Sequence, residues 1–152
     1  MASFFNYYSF IILAVLAGMA MTTQATVNSK LAETVENPIL AAFISFSVGT
    51  VALLIYILAA GIPLSNLTSA KNAPPLAWIG GFLGAFFVSV MATLVPRIGV
   101  ALAFSLAIAG QMLVTLIVDH FGLLDVPVKE MSLTRFAGAT LIIVGVILIR
   151  RF

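Results

Sequence analysis

The sequence predicts an all-α, polytopic membrane protein with five transmembrane helices. Five apolar runs cover residues 7–31, 38–60, 76–95, 99–118 and 133–149. Each is about as long as the roughly 20 residues that a helix needs to cross a bilayer. Hydrocarbon offers no hydrogen-bond partners, so the backbone of each run must be helical. Only 8% of the residues are charged, against roughly 25% in a soluble domain, and the mean hydropathy is +1.22. The chain therefore has too few polar residues to make an aqueous surface.

The second run has the clearest boundary signals. Asn37 is a suitable N-cap, and Pro38 takes the first helical position, where its missing N–H is not needed. Gly61, followed by Pro63, is expected to end the helix because glycine readily adopts the conformation that closes helices.

Prolines and glycines also mark the ends of the later runs. Pro74 and Pro75 open the third helix, and residues 96–99 predict a very tight turn between the third and the fourth. Gly122 is expected to end the fourth helix. Residues 125–132 form the most polar connection and precede the fifth.

The chain shows no linker, low-complexity tract or internal duplication, so residues 1–152 are expected to form a single membrane domain. Five crossings would put the two termini on opposite sides. The seven lysines and arginines then divide three to four: Lys71, Lys129 and Arg135 on the N-terminal side, and Lys30, Arg97, Arg150 and Arg151 on the other. The positive-inside rule has almost no asymmetry to act on.

Two interpretations of this balance remain open. In one, Arg150 and Arg151 settle a weak bias and the C-terminus is cytoplasmic. In the other, copies insert both ways and pair antiparallel. Many transporters consist of two inverted repeats around a midplane site. A five-helix chain without an internal repeat would then be half of a ten-helix inverted-repeat transporter.

A stripe of small residues on the third run predicts close packing against another helix. Its members recur at every fourth position: Ala77, Gly81, Ala85, Ser89 and Thr93. Shorter stripes occur on the first, second and fifth runs. Any one of them fits generic packing, but four in one short chain indicate an intimate helix interface.

Amide side chains at membrane depth form the first candidate site. Gln24 and Asn28 share a face of the first helix, and Gln111 lies near the middle of the fourth. Polar groups in hydrocarbon are costly and usually face the bundle interior or a cavity. With Trp78 as an aromatic wall, these amides are predicted to bind the substrate. The alternative for each is interhelical hydrogen bonding, worth about 0.6–2 kcal/mol.

Asp119 and His120 form the second candidate site, as gate or coupling groups. All five acidic residues lie near helix ends or in connections, so none offers a carboxylate at the centre of a helix. The pair at the end of the fourth helix is the nearest candidate, because histidine changes charge near physiological pH. The alternative is an interfacial helix-end pair. Arg97 is expected to anchor its turn at the headgroups, with attraction of anions as the alternative.

Composition argues against enzyme chemistry. The chain has one histidine and no cysteine, and it lacks a nucleophile elbow, a P-loop and a metal-ligand cluster. We expect no catalytic residues, no cofactor and no metal site. A net charge of +2 without a basic stripe gives no basis for a nucleic-acid partner.

Short motifs along nearly the whole chain carry a resemblance to a known family. They are Lys30-Leu31-Ala32, Asn37-Pro38, Ala41-Ala42, Ser45-Phe46, Gly49-Thr50, Trp78-Ile79-Gly80-Gly81, Leu83-Gly84-Ala85, Pro96-Arg97-Ile98-Gly99, Ile108-Ala109-Gly110-Gln111, Asp119-His120-Phe121-Gly122, and Arg135 followed by Gly138 and Gly145. In order and spacing they resemble the YdcZ-type inner-membrane proteins of the drug/metabolite transporter superfamily.

This resemblance implies a multi-pass exporter of the bacterial inner membrane, built from two five-helix halves. The fifth helix is also similar to the last helix of the small multidrug resistance proteins. Those proteins carry a glutamate in their first helix, where this chain offers Gln24 and Asn28. Proton-coupled export of a lipophilic cation by that route is therefore not expected.

The leading hypothesis is a dimeric transporter that moves a small polar or amphipathic solute through the bilayer by alternating access. Its partner would be a second copy or an oppositely inserted paralogue. Two alternatives remain: a non-transporting subunit that stabilises a partner membrane protein, and a flippase for a lipid-linked head group.

Overall fold

The computed structural model describes the backbone of residues 2–151 and the side chains of residues 7–151. Within this range the chain folds into five long α-helices: α1 (Ala2–Thr34), α2 (Pro38–Ala59), α3 (Ile79–Ile98), α4 (Val100–Phe121) and α5 (Leu133–Arg151). Short 3-10 helices occupy Leu64–Asn72, Pro75–Trp78 and Leu123–Asp125 in the connections. All five α-helices are long and apolar enough to cross a membrane. The predicted all-α, five-span class is confirmed.

Asn37 caps α2 as predicted. Its Oδ1 accepts hydrogen bonds from the backbone N–H groups of Ile39 at 2.9 Å and Leu40 at 3.2 Å, and Pro38 is the first helical residue. These bonds satisfy two of the N–H groups that a helix start leaves without partners. The link between α1 and α2 is thereby reduced to residues 35–37.

Gly61 closes α2, also as predicted. Its φ is +66°, its N–H donates to the carbonyl of Leu58, and the N–H of Ile62 donates to that of Ile57 at 3.0 Å. This pair of bonds around a left-handed residue is the Schellman motif.

The predicted turn at residues 96–99 is wrong in extent. α3 continues through Pro96 and Arg97 to Ile98, and Gly99, with a φ of +82°, is the only residue between α3 and α4. Proline in the interior of a helix is disruptive, but in the last turn it removes a single hydrogen bond. Pro96 therefore did not mark the helix end that the sequence suggested.

The chain divides into two compact units, Met1–Arg97 and Ile98–Phe152. In the first unit, α1 and α2 pack as a hairpin, and the small side chains of Ala41 and Ala42 are buried on α2. The ring of Phe46 on α2 lies against Gly84 of α3, where a Cβ would come within 3.3 Å of it. In the second unit, α4 packs along α5, with Leu116 and Ala139 buried.

Only a small part of each span is buried within one chain. Only 6% to 22% of each span's most apolar window is buried, so most of the large apolar side chains point outward. An outer surface of this kind suits acyl chains and contacts with other helices, and it would be insoluble in water.

Gly122 is the position in the fold where a side chain is least acceptable. It ends α4 with a φ of +59°, and a Cβ there would lie 2.6 Å from Cγ2 of Val128. We expect Gly122→Ala to lower the Tm of the purified protein, because the left-handed conformation alone costs roughly 1–2 kcal/mol for a residue with a Cβ. The matched control is Gly110→Ala in the same helix, where a Cβ would meet no atom within 4 Å. Equal Tm values for the two variants in detergent would contradict this assignment.

Candidate functional site

Asn28 is the buried amide of the first unit. Its side chain is 3% exposed, and its Nδ2 has no hydrogen-bond partner among the described residues. Ala25 and Ser29 are buried on the same face of α1. A buried donor without a partner costs about 1–3 kcal/mol. Nothing within the described chain offsets that cost, so Asn28 is a candidate for contact with water or a solute that enters the first unit.

The hydroxyl groups around Asn28 differ from its amide because they have hydrogen-bond partners in the backbone of α1. Thr22, Thr23 and Thr26 each donate to the backbone carbonyl one turn earlier, at 2.9 to 3.2 Å. Gln24, one turn from Asn28, is exposed, and its amide makes no hydrogen bond to the described part of the chain. On this stretch of α1 the free polar groups are therefore the two amides.

Gln111 lies midway along α4 in the second unit and is exposed, again without a hydrogen bond to the described residues. One turn further on, Thr115 lines a cavity of about 380 Å³ between α4 and α5. The walls of this cavity are mostly apolar, and Asp119 and Arg135 line it at the end nearest the 122–132 connection.

Asp119 and His120 hold the connection between α4 and α5 in place. Arg135 donates from Nη1 to Oδ2 of Asp119 at 3.2 Å and to the carbonyl of Lys129 at 3.1 Å. The N–H of Lys129 donates to the backbone carbonyl of Asp119 at 2.8 Å, and the N–H of Met131 donates to Nδ1 of His120 at 3.1 Å. We refer to these four bonds as the α4–α5 clasp.

The ion pair within the clasp is partly screened by solvent, since its two side chains are 31% and 27% exposed. Pairs in such surroundings add little stability on their own. The pair joins the end of α4 to the start of α5 at one end of the α4–α5 cavity, which both residues line.

Arg135 is the side chain of the clasp that the sequence analysis did not connect with Asp119. It follows Asp119 by 16 residues, across an irregular connection, so no local spacing relates the two. The one available signal was topological: consecutive spans alternate in direction, which puts the end of α4 and the start of α5 on the same side of the membrane.

Trp78 is not brought near Asn28 within one chain. It lies in the 3-10 helix that precedes α3, and it is 59% exposed. Ser29, the neighbour of Asn28, lines a cavity together with Ala92, near the other end of α3. At roughly 1.5 Å per residue, Ala92 is about 20 Å from Trp78 along the helix.

Five apolar spans, a few amides at depth and charged side chains gathered at helix ends define a small multi-pass membrane protein. The described residues hold no group of three or more His, Asp or Glu side chains that could bind a metal ion.

Residues 9–148 match the sequence model of a protein family described as "Putative inner membrane exporter, YdcZ". The chain therefore belongs to this family, and the resemblance inferred from its motifs is confirmed. No curated protein and no solved structure is similar enough to match. Together with the five spans, family membership makes the chain a multi-pass inner-membrane protein, and it supports a role in transport rather than catalysis.

Proposed function

We propose that the protein is one half of a dimeric transporter, which moves a small polar or amphipathic solute across the inner membrane by alternating access. Two copies, or one copy and a paralogue, insert in opposite orientations and enclose the solute pathway between them. This arrangement reproduces with two chains what inverted repeats provide within one. Each chain contributes residues 1–152 as a single membrane domain.

The observation that carries the proposal is the state of three amides. Asn28 is buried with its Nδ2 unsatisfied, while Gln24 and Gln111 are exposed on spans and make no bond to the described residues. In hydrocarbon such groups require a polar partner. A hydrated passage between two chains would supply one to the exposed Gln24 and Gln111 directly, and to Asn28 through water or solute that enters the first unit. These three residues would then be the substrate-binding groups.

The small-residue stripe of α3 supports a second chain as the partner. Gly81 and Ala85 of α3, and Ala77 in the 3-10 helix before it, are exposed on the single chain. Small residues at helix surfaces let backbones approach closely, and in a bilayer such contacts are a main source of helix association. The exposed stripe is therefore available for an interface between chains.

An antiparallel partner also accounts for Trp78. Within one chain it is distant from Asn28, near the opposite end of α3. Inverting the second chain carries its Trp78 to the end of the membrane toward which the Asn28 of the first chain lies. The aromatic wall would then be supplied across the interface.

Asp119 and His120 fit the role of gate groups. The clasp ties the 122–132 connection to the ends of α4 and α5, beside a cavity lined by Asp119 and Arg135. Breaking its bonds would free the connection and open that end of the cavity.

Topology tests the proposal most directly. The C-terminus is fused in one strain to a fluorescent protein that is active only in the cytoplasm, and in another to a phosphatase that is active only in the periplasm. We expect both fusions to be active, because three and four basic residues on the two sides barely favour either orientation. Replacing Arg150 and Arg151 with glutamine should shift the ratio of the two signals, as it removes two charges from the side with four. Glu130→Gln, which leaves every basic residue in place, is the control. Activity of only one reporter, unchanged when Arg150 and Arg151 are replaced, would remove the antiparallel homodimer.

A further inference from the structure

A cavity of about 260 Å³ lies at the end of the first unit where α1, α2 and α3 meet. We propose that it is a binding site for a small zwitterion, that is, a molecule with an ammonium group and an anionic group. The residues that carry the argument are Ser29, Glu33, Glu36, Thr93 and Arg97, all of which line it.

The cavity is lined by two opposite charges that are not paired. The carboxylate of Glu36 and the guanidinium of Arg97 make no ion pair or hydrogen bond to the described residues. Glu33 differs, since its Oε2 pairs with Nζ of Lys30 at 2.9 Å. A free negative and a free positive group therefore border one space without neutralising each other, and a ligand carrying both signs would complement them.

Both charged residues stand on ordered backbone. Glu36 adopts a φ of +55°, which is uncommon for a residue with a side chain. Backbone bonds from Val35 to Leu31 and from Asn37 to Ala32, at 2.9 and 3.1 Å, hold the turn on either side of it. Arg97 lies in the last turn of α3. The backbone at both positions is thus ordered before a ligand arrives, and only the two exposed side chains have to settle on it.

The hydrogen bonds that the two hydroxyl groups in the cavity already make determine which end of the ligand they could bind. Ser29, which is 7% exposed, donates its Oγ proton to the carbonyl of Thr26, and Thr93 donates to that of Ser89, both at 2.8 Å. Their protons are used, so their oxygens can only accept further bonds. With the glutamates they form a set of acceptors suited to an ammonium, whereas Arg97 offers the donors that suit a carboxylate or phosphate.

The size of the cavity restricts the ligand. Its volume is just below the roughly 300–1,000 Å³ of typical small-molecule sites. A small amino-acid-like solute fits, and so does the ethanolamine phosphate headgroup of a phospholipid. The two share the same pair of charges.

The cavity adjoins the predicted amide site. Ala32 lines it, Asn28 lies one turn earlier on the same face of α1, and Gln24 one turn before that. A bound zwitterion would meet these amides next on its way into the membrane. That the bound molecule is also the transported solute rests on the proposed function, whereas binding itself does not.

Equilibrium binding to the purified protein tests the site. The probe is L-alanine, compared with N-acetyl-L-alanine, which lacks the ammonium, and L-alaninamide, which lacks the carboxylate. We expect alanine to bind at least tenfold more tightly than either analogue. Glu36→Gln and Arg97→Gln should each weaken alanine binding about tenfold or more, because each removes a charge-assisted bond. Glu130→Gln and Arg150→Gln, at exposed positions outside the first unit, should bind as the wild type does.

A second arm distinguishes the two sources of the charge pair. The protein is transferred to nanodiscs that contain phosphatidylethanolamine or phosphatidylglycerol, and the lipid that it retains is measured by native mass spectrometry. Selective retention of phosphatidylethanolamine that both glutamine variants lose, without alanine binding, supports the site and assigns it to the headgroup. A glutamine variant is used only if its Tm equals that of the wild type. If one fails to fold, Glu36→Asp or Arg97→Lys replaces it, and weaker binding than in the wild type is still expected.

Three results would overturn the proposal. N-acetyl-L-alanine binding as tightly as alanine would show an anion site, and L-alaninamide doing so would show a cation site. Alanine and lipid binding that are both indifferent to Glu36 and Arg97 would show no site at all. Alanine binding without alanine transport would instead count against the transport assignment and leave the site in place.

Discussion

Replacing Asn28 with leucine is expected to reduce transport at least tenfold while leaving the protein as stable as before, or more so. The stability gain follows from removing a buried N–H without a partner, which costs about 1–3 kcal/mol in the native chain. The loss of transport follows if that N–H serves the solute or its hydration. Exchange of labelled L-alanine across proteoliposomes, together with thermal unfolding of the same preparation, measures both quantities.

Two further substitutions in the predicted site and one outside it serve as comparisons for Asn28→Leu. Gln24→Ala and Gln111→Ala should also lower transport, and wild-type rates in both, with normal assembly, would remove these residues from the pathway. Asn66→Leu changes an exposed amide in the 3-10 helix after α2 and should leave transport unchanged. A lower Tm and a dissociated dimer for Asn28→Leu would show instead that this amide bonds one chain to the other.

Arg135→Gln should release the connection between α4 and α5. One guanidinium nitrogen of Arg135 donates to both Asp119 and the carbonyl of Lys129, and glutamine would lose the charge and the reach. We expect hydrogen–deuterium exchange at the amides of Lys129 and Met131 to rise at least tenfold, and transport to fall if the clasp is the gate. The effect on global stability should be below about 1 kcal/mol, because the ion pair is partly exposed.

Lys129→Gln is the matched control for this experiment. It removes a positive charge from the same connection, but Lys129 joins the clasp only through its backbone groups, which the substitution retains. Asp119→Asn combined with Arg135→Gln should be no worse than Arg135→Gln alone, since the side chain of Asp119 bonds only to Arg135 among the described residues. Equal exchange in Arg135→Gln and Lys129→Gln would show that charge alone matters and that the clasp does not hold the connection.

The fold was predictable because lipid leaves so few options. Long apolar runs must be helical, so counting them gave five spans, and cap chemistry at Asn37 and Gly61 located two ends correctly. The error at residues 96–99 has a definite origin. A proline near the end of a run is compatible both with a turn and with a final helical turn, and only packing decides between them.

The candidate site was predictable only in part. The spacing of Gln24 and Asn28 placed them on one face, but it could not show that one amide is exposed and the other buried without a partner. Their roles in binding, and those of Gln111, Trp78, Asp119 and His120, stay predictions.

Contacts between residues far apart in the chain could not be predicted from the sequence. Arg97 suggested an anchor or an anion site at the mouth, and Glu36 only a helix-end acid. That the two border one cavity depends on how α1 and α3 pack, which no local pattern records.

The sparse burial of the spans also bears on how this sequence can change over evolutionary time. Where a side chain faces acyl chains, leucine, isoleucine, valine and phenylalanine are nearly interchangeable, so random drift can rewrite long stretches without harm. Buried small side chains behave differently: Ala41, Ala42, Ala92 and Ala103 are each 3% exposed or less, and an extra methyl group there would force helices apart. Mutational tolerance is therefore broad where the outside of the molecule faces lipid, and narrow at these buried alanines.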